Sequence, residues 1–215
     1  MSFLNQLKSQ ASTLQSQQGA QSEKREANTL VTENAAKTAW LYISELVKQL
    51  NVISPLGPVL ALDSKKPWPA MKLVGFQADV RKKKLDDQEV VDFISMGWRL
   101  VPAIGPLLTG SVSANFPPDL ERIEKRLSAG QVKHERVNVR HPEKNTLKEI
   151  RFDYQTEARG SIKITADHDN GILMFRLVCV EAMEVKNVNV PVAQVQTRLL
   201  DELAKLVVRQ PSTFG

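Results

Sequence analysis

The chain has 215 residues, 42% hydrophobic and 25% charged, the balance of a folded globular protein and not of a disordered one. One domain with an extension is expected at this length, and a fold of this size buries roughly 70% of its extended surface without a disulfide or metal staple. Lys and Arg number 29 against 24 Asp and Glu, a net charge of +5, too mild for a dedicated nucleic-acid binder.

The single cysteine, Cys179, excludes an internal disulfide and every multi-cysteine zinc or iron–sulfur site. In its apolar run it reads as a small buried hydrophobe. The opening Met1–Gln6 has neither a basic nor an apolar region, so a secretory signal is not expected. The longest uncharged stretch, Leu100–Pro118, is interrupted by Pro102, Gly105, Pro106, Gly110 and Pro117, which excludes a membrane-spanning helix. The expectation is a soluble cytoplasmic protein.

Residues 1–28 are rich in Gln and Ser. Leu4, Leu7, Ala11 and Leu14 begin a heptad seam, which continues onto Gln18, Gln21, Arg25 and Asn28 and cannot stay dry. The segment reads as a polar helical arm, with homo-oligomer formation through a short coiled coil as its functional reading. Residues 29–215 read as one α+β domain. In 33–50, Ala36, Ala39, Trp40, Ile43, Leu46, Val47 and Leu50 share one face of an amphipathic helix. Residues 51–70 form a proline-rich connector in which Pro67-Trp68-Pro69 is a stiff plug.

From residue 71 the apolar period becomes two, predicting a hairpin of two strands, about 71–80 and 89–101, around a turn at Lys84–Gln88. Pro117, Pro118 and Gly130 bracket a short helix. Strands follow at 131–140 (with a bulge between His134 and Val137), 147–157, 162–166, 172–180 and 183–190, with an Asn170-Gly171 hairpin signal for a type I′ turn. Residues 172–180 are apolar on both faces except at Arg176, the pattern of a strand covered on both sides. A final helix is predicted over about 191–209, with Val192, Val195, Leu199, Leu203 and Leu206 as its stripe.

The fold class predicted is α+β: an antiparallel sheet of six to seven strands against an N-terminal and a C-terminal helix. Meander followed by terminal helix resembles the helix-grip arrangement of small-molecule-binding domains. That resemblance implies an architecture and does not fix a function.

Catalytic motifs are missing: the chain has no G-x-S-x-G elbow, no phosphate-binding G-x-x-x-x-G-K and no H-E-x-x-H. His134, His141 and His168 have no metal-ligand spacing, and Asp167–Gly171 lacks the twelfth-position Glu of a calcium loop, Val178 standing there. No catalytic residue, metal site or cofactor is therefore nominated. The Arg81-Lys82-Lys83-Lys84 run and the basic excess over 122–151 are interleaved with carboxylates, and no aromatic lies between Phe116 and Phe152, so nucleic-acid binding ranks third. Two features suggest a site. The apolar loop 100–118 needs covering, or it acts as a lid or docking surface. Arg176, inside an apolar strand, needs either a partner, for which Asp92 is the expected counterpart, or a ligand carboxylate or phosphate. The leading expectation is a non-catalytic module holding a small amphipathic ligand between sheet and helix, with Arg176, Asp92, Trp98, Leu107, Leu108 and Phe116 around it. The alternative is an assembly or adaptor protein acting through the arm and the 100–118 loop.

Overall fold

A computed structural model describes residues 3–63 and 65–215. The side chains of Leu4, Asn5, Ser9, Ser16, Gln17, Gln18 and Ala20 lie outside that description, and with them the Leu4 and Gln18 positions of the predicted seam. The two helical pieces expected at 1–28 and 33–50 are one helix, α1, Phe3–Ile53. Of the residues that break the seam, the glutamines and Arg25 are good helix formers, so they interrupt the apolar stripe and not the backbone. At 1.5 Å per residue α1 is about 76 Å long. It stops at Ser54, whose φ is +47°, followed by Pro55, which cannot continue a helix. No helix among the described residues is long and apolar enough to cross a membrane.

The strands are β1 (Met71–Leu85), β2 (Gln88–Pro102), β3 (Thr109–Ala114), β4 (His134–Arg140), β5 (Leu147–Gln155), β6 (Ala158–Asp167), β7 (Ile172–Val178) and β8 (Val185–Pro191). The helices between and after them are α2 (Pro117–Ala129) and α3 (Thr197–Val207). All strand pairs are antiparallel. The fold is thus α+β as expected, but its eight strands form two open sheets, a five-stranded one ordered β1-β2-β6-β7-β8 and a three-stranded one ordered β3-β5-β4.

One face of the five-stranded sheet carries Leu73, Ile94, Met96, Leu100, Ile162, Ile164, Leu173, Phe175 and Leu177, all buried. α1 crosses β1, β2, β6 and β7 on this face and runs beside α3. Ala36, Ala39 and Ile43 of α1, and Leu200, Leu203 and Val207 of α3, have no exposed surface. The alanines bring α1 close to the strands. Between the helices, the Tyr42 hydroxyl donates to Asp201 at 2.6 Å; burial and then that carboxylate raise the phenol's pKa. The C-terminal tail folds back on the same core. Glu202 accepts from Lys205 Nζ and from the Thr213 backbone N–H at 2.6 and 2.7 Å, which lowers its carboxyl to about 2, and Phe214 packs edge-on against Phe175.

Two bulges bend the β1–β2 hairpin. At the first, Gly75 takes φ +65°, and the freed Phe76 backbone is held in both directions by the Asn51 amide. At the second, Asp92 is the extra residue. The Val91 N–H then donates to Glu33 of α1, and its carbonyl accepts from Nε2 of buried His168. The end of α1 and a point near its middle are thus fastened to irregularities in the sheet.

Several expectations need correction. The long loop 100–118 is largely taken up by elements: its first three residues end β2, Thr109–Ala114 form β3 and Pro117 opens α2, leaving irregular links only at 103–108 and 115–116. Thr-Gly-Ser-Val-Ser-Ala alternates, but through small residues that carry little periodic signal. The 131–140 strand is irregular at Val139/Arg140 and not between His134 and Val137. The 168–171 connection has four residues, with only Gly171 left-handed (φ +67°), so it is no type I′ turn. The terminal helix is broken into a 3-10 turn, Val192–Gln194, and α3. β7 is not covered on both sides, since Met174 and Arg176 are exposed. The Trp68 plug does form: the indole is buried and stacks on Tyr154 at 5.4 Å.

Trp98 shows how tightly the inner face is filled. A Cβ on Gly160, its cross-strand neighbour, would lie 2.4 Å from the indole. Gly160→Ala is therefore expected to cost about 1–3 kcal/mol in urea unfolding. Adding Trp98→Phe should recover part of that loss, whereas strictly additive losses would contradict the contact.

Candidate binding groove on the open sheet face

Because side chains alternate along a strand, the register of the five-stranded sheet fixes what its second face presents. One row across the strands reads Asn187, Arg176, Lys163, Ser95, Asp79; the next reads Val185, Val178, Ser161, Gly97, Gln77. Beyond them Arg159 lies opposite Arg99. This face is small and polar along its middle and cationic along its length.

α2 forms a wall over one end of it. β7 stops at Cys179, where the backbone turns with φ +51°. That leaves the start of β6 free for the end of α2: the Arg159 N–H donates to the Gly130 carbonyl at 2.8 Å. The groove between has a volume of about 870 Å³. Its helix wall includes Glu121, Arg122, Lys125 and Ala129, and its other wall includes Arg176, Val178 and Val185 of the sheet and Met183 of the β7–β8 link. A second hollow of about 630 Å³, floored by Gly75, Ser95, Gly97 and Ser161, adjoins it. The two share Ala129, Gln131, Ser161 and Val178.

The charges of the helix wall are mutually satisfied. Lys125 pairs with Glu121 at 2.7 Å, Arg122 with Asp119 at 2.6 Å and Arg136 with Glu124 at 3.0 Å. Arg126 donates to the carbonyls of Ala61 and Leu62. Each cation of the Arg81–Lys84 run likewise has a carboxylate, namely Asp79, Glu89, Asp92 and Asp87 in turn. Among the described residues, Arg176 and Arg159 have no carboxylate within 4.0 Å, and Lys163 lies over the Phe93 ring at 4.0 Å. Glu184 also borders the groove, beyond ion-pair distance of Arg176. The arrangement can hold an anion beside an apolar strip. No histidine or cysteine lines either hollow beside the serine hydroxyls.

Of the residues nominated from sequence, Arg176 alone lines the larger groove. Asp92 does not pair with it but with Lys83 at 3.3 Å, since β6 separates their strands. Trp98 borders the smaller hollow from beneath, its indole turned inward against Phe76. Leu107 and Leu108 lie on the 103–108 link, half exposed, where the Thr156 hydroxyl grips Leu108 from both sides. Phe116 is exposed ahead of α2. Those three do not meet Arg176. The residues that sequence reading missed are Ser161, Gly97, Arg159 and Met183; Gly97 and Ser161 signalled themselves only as small residues among the apolar ones of their strands, and nothing in the sequence marked Arg159 or Met183.

Cys179 is fully buried, and burial pushes its thiol up to about 12, so it stays protonated and inert. No group of three or more His, Cys, Asp or Glu among the described residues comes together as a metal site. Comparison with protein-family models, with curated proteins and with solved structures gives no match.

Proposed function

We propose that the protein is a non-catalytic binding module that takes a small amphipathic anion into the groove between α2 and the open face of the five-stranded sheet. The observation that carries this reading is Arg176, a guanidinium without a carboxylate partner beside the apolar side chains of Val178, Met183, Val185 and Ala129. A carboxylate or phosphate head would take bidentate hydrogen bonds from Arg176, and the tail would cover the apolar strip. The space between the sheet and helices α1 and α3, where a helix-grip domain would carry its ligand, is occupied by buried side chains, so the open face is the better candidate.

Dodecanoate is a suitable probe. It should raise the melting temperature by mass action, and Arg176→Gln should weaken its binding about tenfold or more, the worth of a charged hydrogen bond. Equal affinity in wild type and variant, read by calorimetry, would overturn the assignment.

A second reading, self-association through the arm, is favoured by apolar side chains exposed near the start of α1. Phe3, Leu7 and Leu14 are 73%, 45% and 58% exposed on it, and apolar surface of this kind is what a second helix would cover. Further along α1, Arg25 pairs with Asp169 at 2.7 Å and the Asn28 amide donates to the Asp169 carbonyl, which fastens the helix to the body. Removing residues 1–24 should therefore reduce an oligomer to monomer mass in sedimentation, and an unchanged mass would dismiss the arm as the contact.

A further inference from the structure

Arg99 and Arg159 stand directly opposite each other on neighbouring strands of the open face. Like charges in that position are destabilising unless something neutralises them. Arg99 has Glu157 at 3.4 Å; Arg159 has no such partner among the described residues. The same arrangement recurs where Lys163 faces Arg176. The two cationic rows are four residues apart along β6, about 13 Å at the rise of an extended strand. Between them the hollows are continuous through Ser161 and Val178.

Gly97 lies on the floor of the smaller hollow. Its φ is not left-handed, and a Cβ there would meet nothing nearer than the Gly160 carbonyl at 3.8 Å. Neither backbone conformation nor packing demands glycine at this position. What the missing side chain leaves is room on the open face, next to Arg99 and Arg159.

We infer that the ligand carries a second anionic group, held at Arg159 and Arg99, so that it is an elongated dianion lying along β6 with one end at Arg176 and the other in the smaller hollow. This rests on the reading of the Arg176 groove given above and names the class of ligand that fits it: a chain with an anionic group at each end. The middle of the chain crosses Val178, Ser161 and Gly97.

The test compares dodecanoate with dodecanedioate, the same twelve-carbon chain with a carboxylate at both ends, by calorimetry on the full chain. The dianion should bind about tenfold tighter. Arg159→Gln, at an exposed position, should remove that gain and leave dodecanoate binding unchanged. Gly97→Leu, which fills the floor, should also weaken the dianion while the melting temperature of the free protein holds. Arg176→Gln should weaken both ligands. Equal binding of the two probes, or a dianion affinity indifferent to both Arg159→Gln and Gly97→Leu, overturns the second subsite. If Arg176→Gln still weakens dodecanoate in that case, the groove itself stands. Indifference of dodecanoate to Arg176→Gln overturns the groove reading on which the inference rests.

Discussion

Ala36, Ala39 and Ile43 on α1 and Leu200, Leu203 and Val207 on α3 are closed off from water on a single face of the five-stranded sheet. Burying a large aliphatic side chain contributes about 1.5–3 kcal/mol, and this face buries many of them, from Leu73 to Leu177. Both long-range helices are committed to it. At the bulges of Gly75 and Asp92, Asn51, Glu33 and His168 satisfy the backbone groups that the irregularities release. With both helices on one side, the other face of the sheet is left to α2 and to solvent.

That asymmetry gives the open face its character. Alternation sends every second residue outward, and the outward set of β2, β6 and β7 contains Ser95, Gly97, Ser161, Lys163 and Arg176. A solvated face usually balances its charges, as the Arg81–Lys84 run and α2 do with neighbouring carboxylates. Arg159 and Arg176 depart from that habit within the hollows that α2 helps to enclose. An uncompensated guanidinium in a concavity is a more specific signal than net charge, because it localises where a counter-anion would be stabilised.

Much of the architecture was legible from periodicity. The hairpin β1–β2 and the strands β5 and β6 announced themselves by alternating apolar residues, β7 by a nearly continuous apolar run, β8 by a more weakly phased one, and α2 by its prolines and Gly130. β3 was hidden because its alternation uses Ser, Gly and Ala. The unity of α1 was hidden because helix propensity survives where the apolar stripe does not. The site was harder to read. Arg176 stood out as a cation in an apolar strand, but Met174 and Val178 beside it suggested a covered face; Met174 is exposed, and Val178 is buried where α2 and Gln131 approach. Pairing Arg176 with Asp92 failed because sequence does not say which strands are neighbours, and β6 lies between them. Arg159 and Gly97 acquire meaning only through the register that sets them around one hollow.

One face of the five-stranded sheet is filled by α1 and α3 while the opposite face is open. Adjacent positions on β6 report on it directly: Ser161→Cys and Ile162→Cys differ by one residue and point to opposite faces. Cys179 is buried and protonated, so an aromatic disulfide reagent will read only the introduced thiol in the native protein. Ser161→Cys is expected to label rapidly, and Ile162→Cys to stay protected until the chain is unfolded. Rapid labelling at 162 with protection at 161 would contradict that division of the sheet.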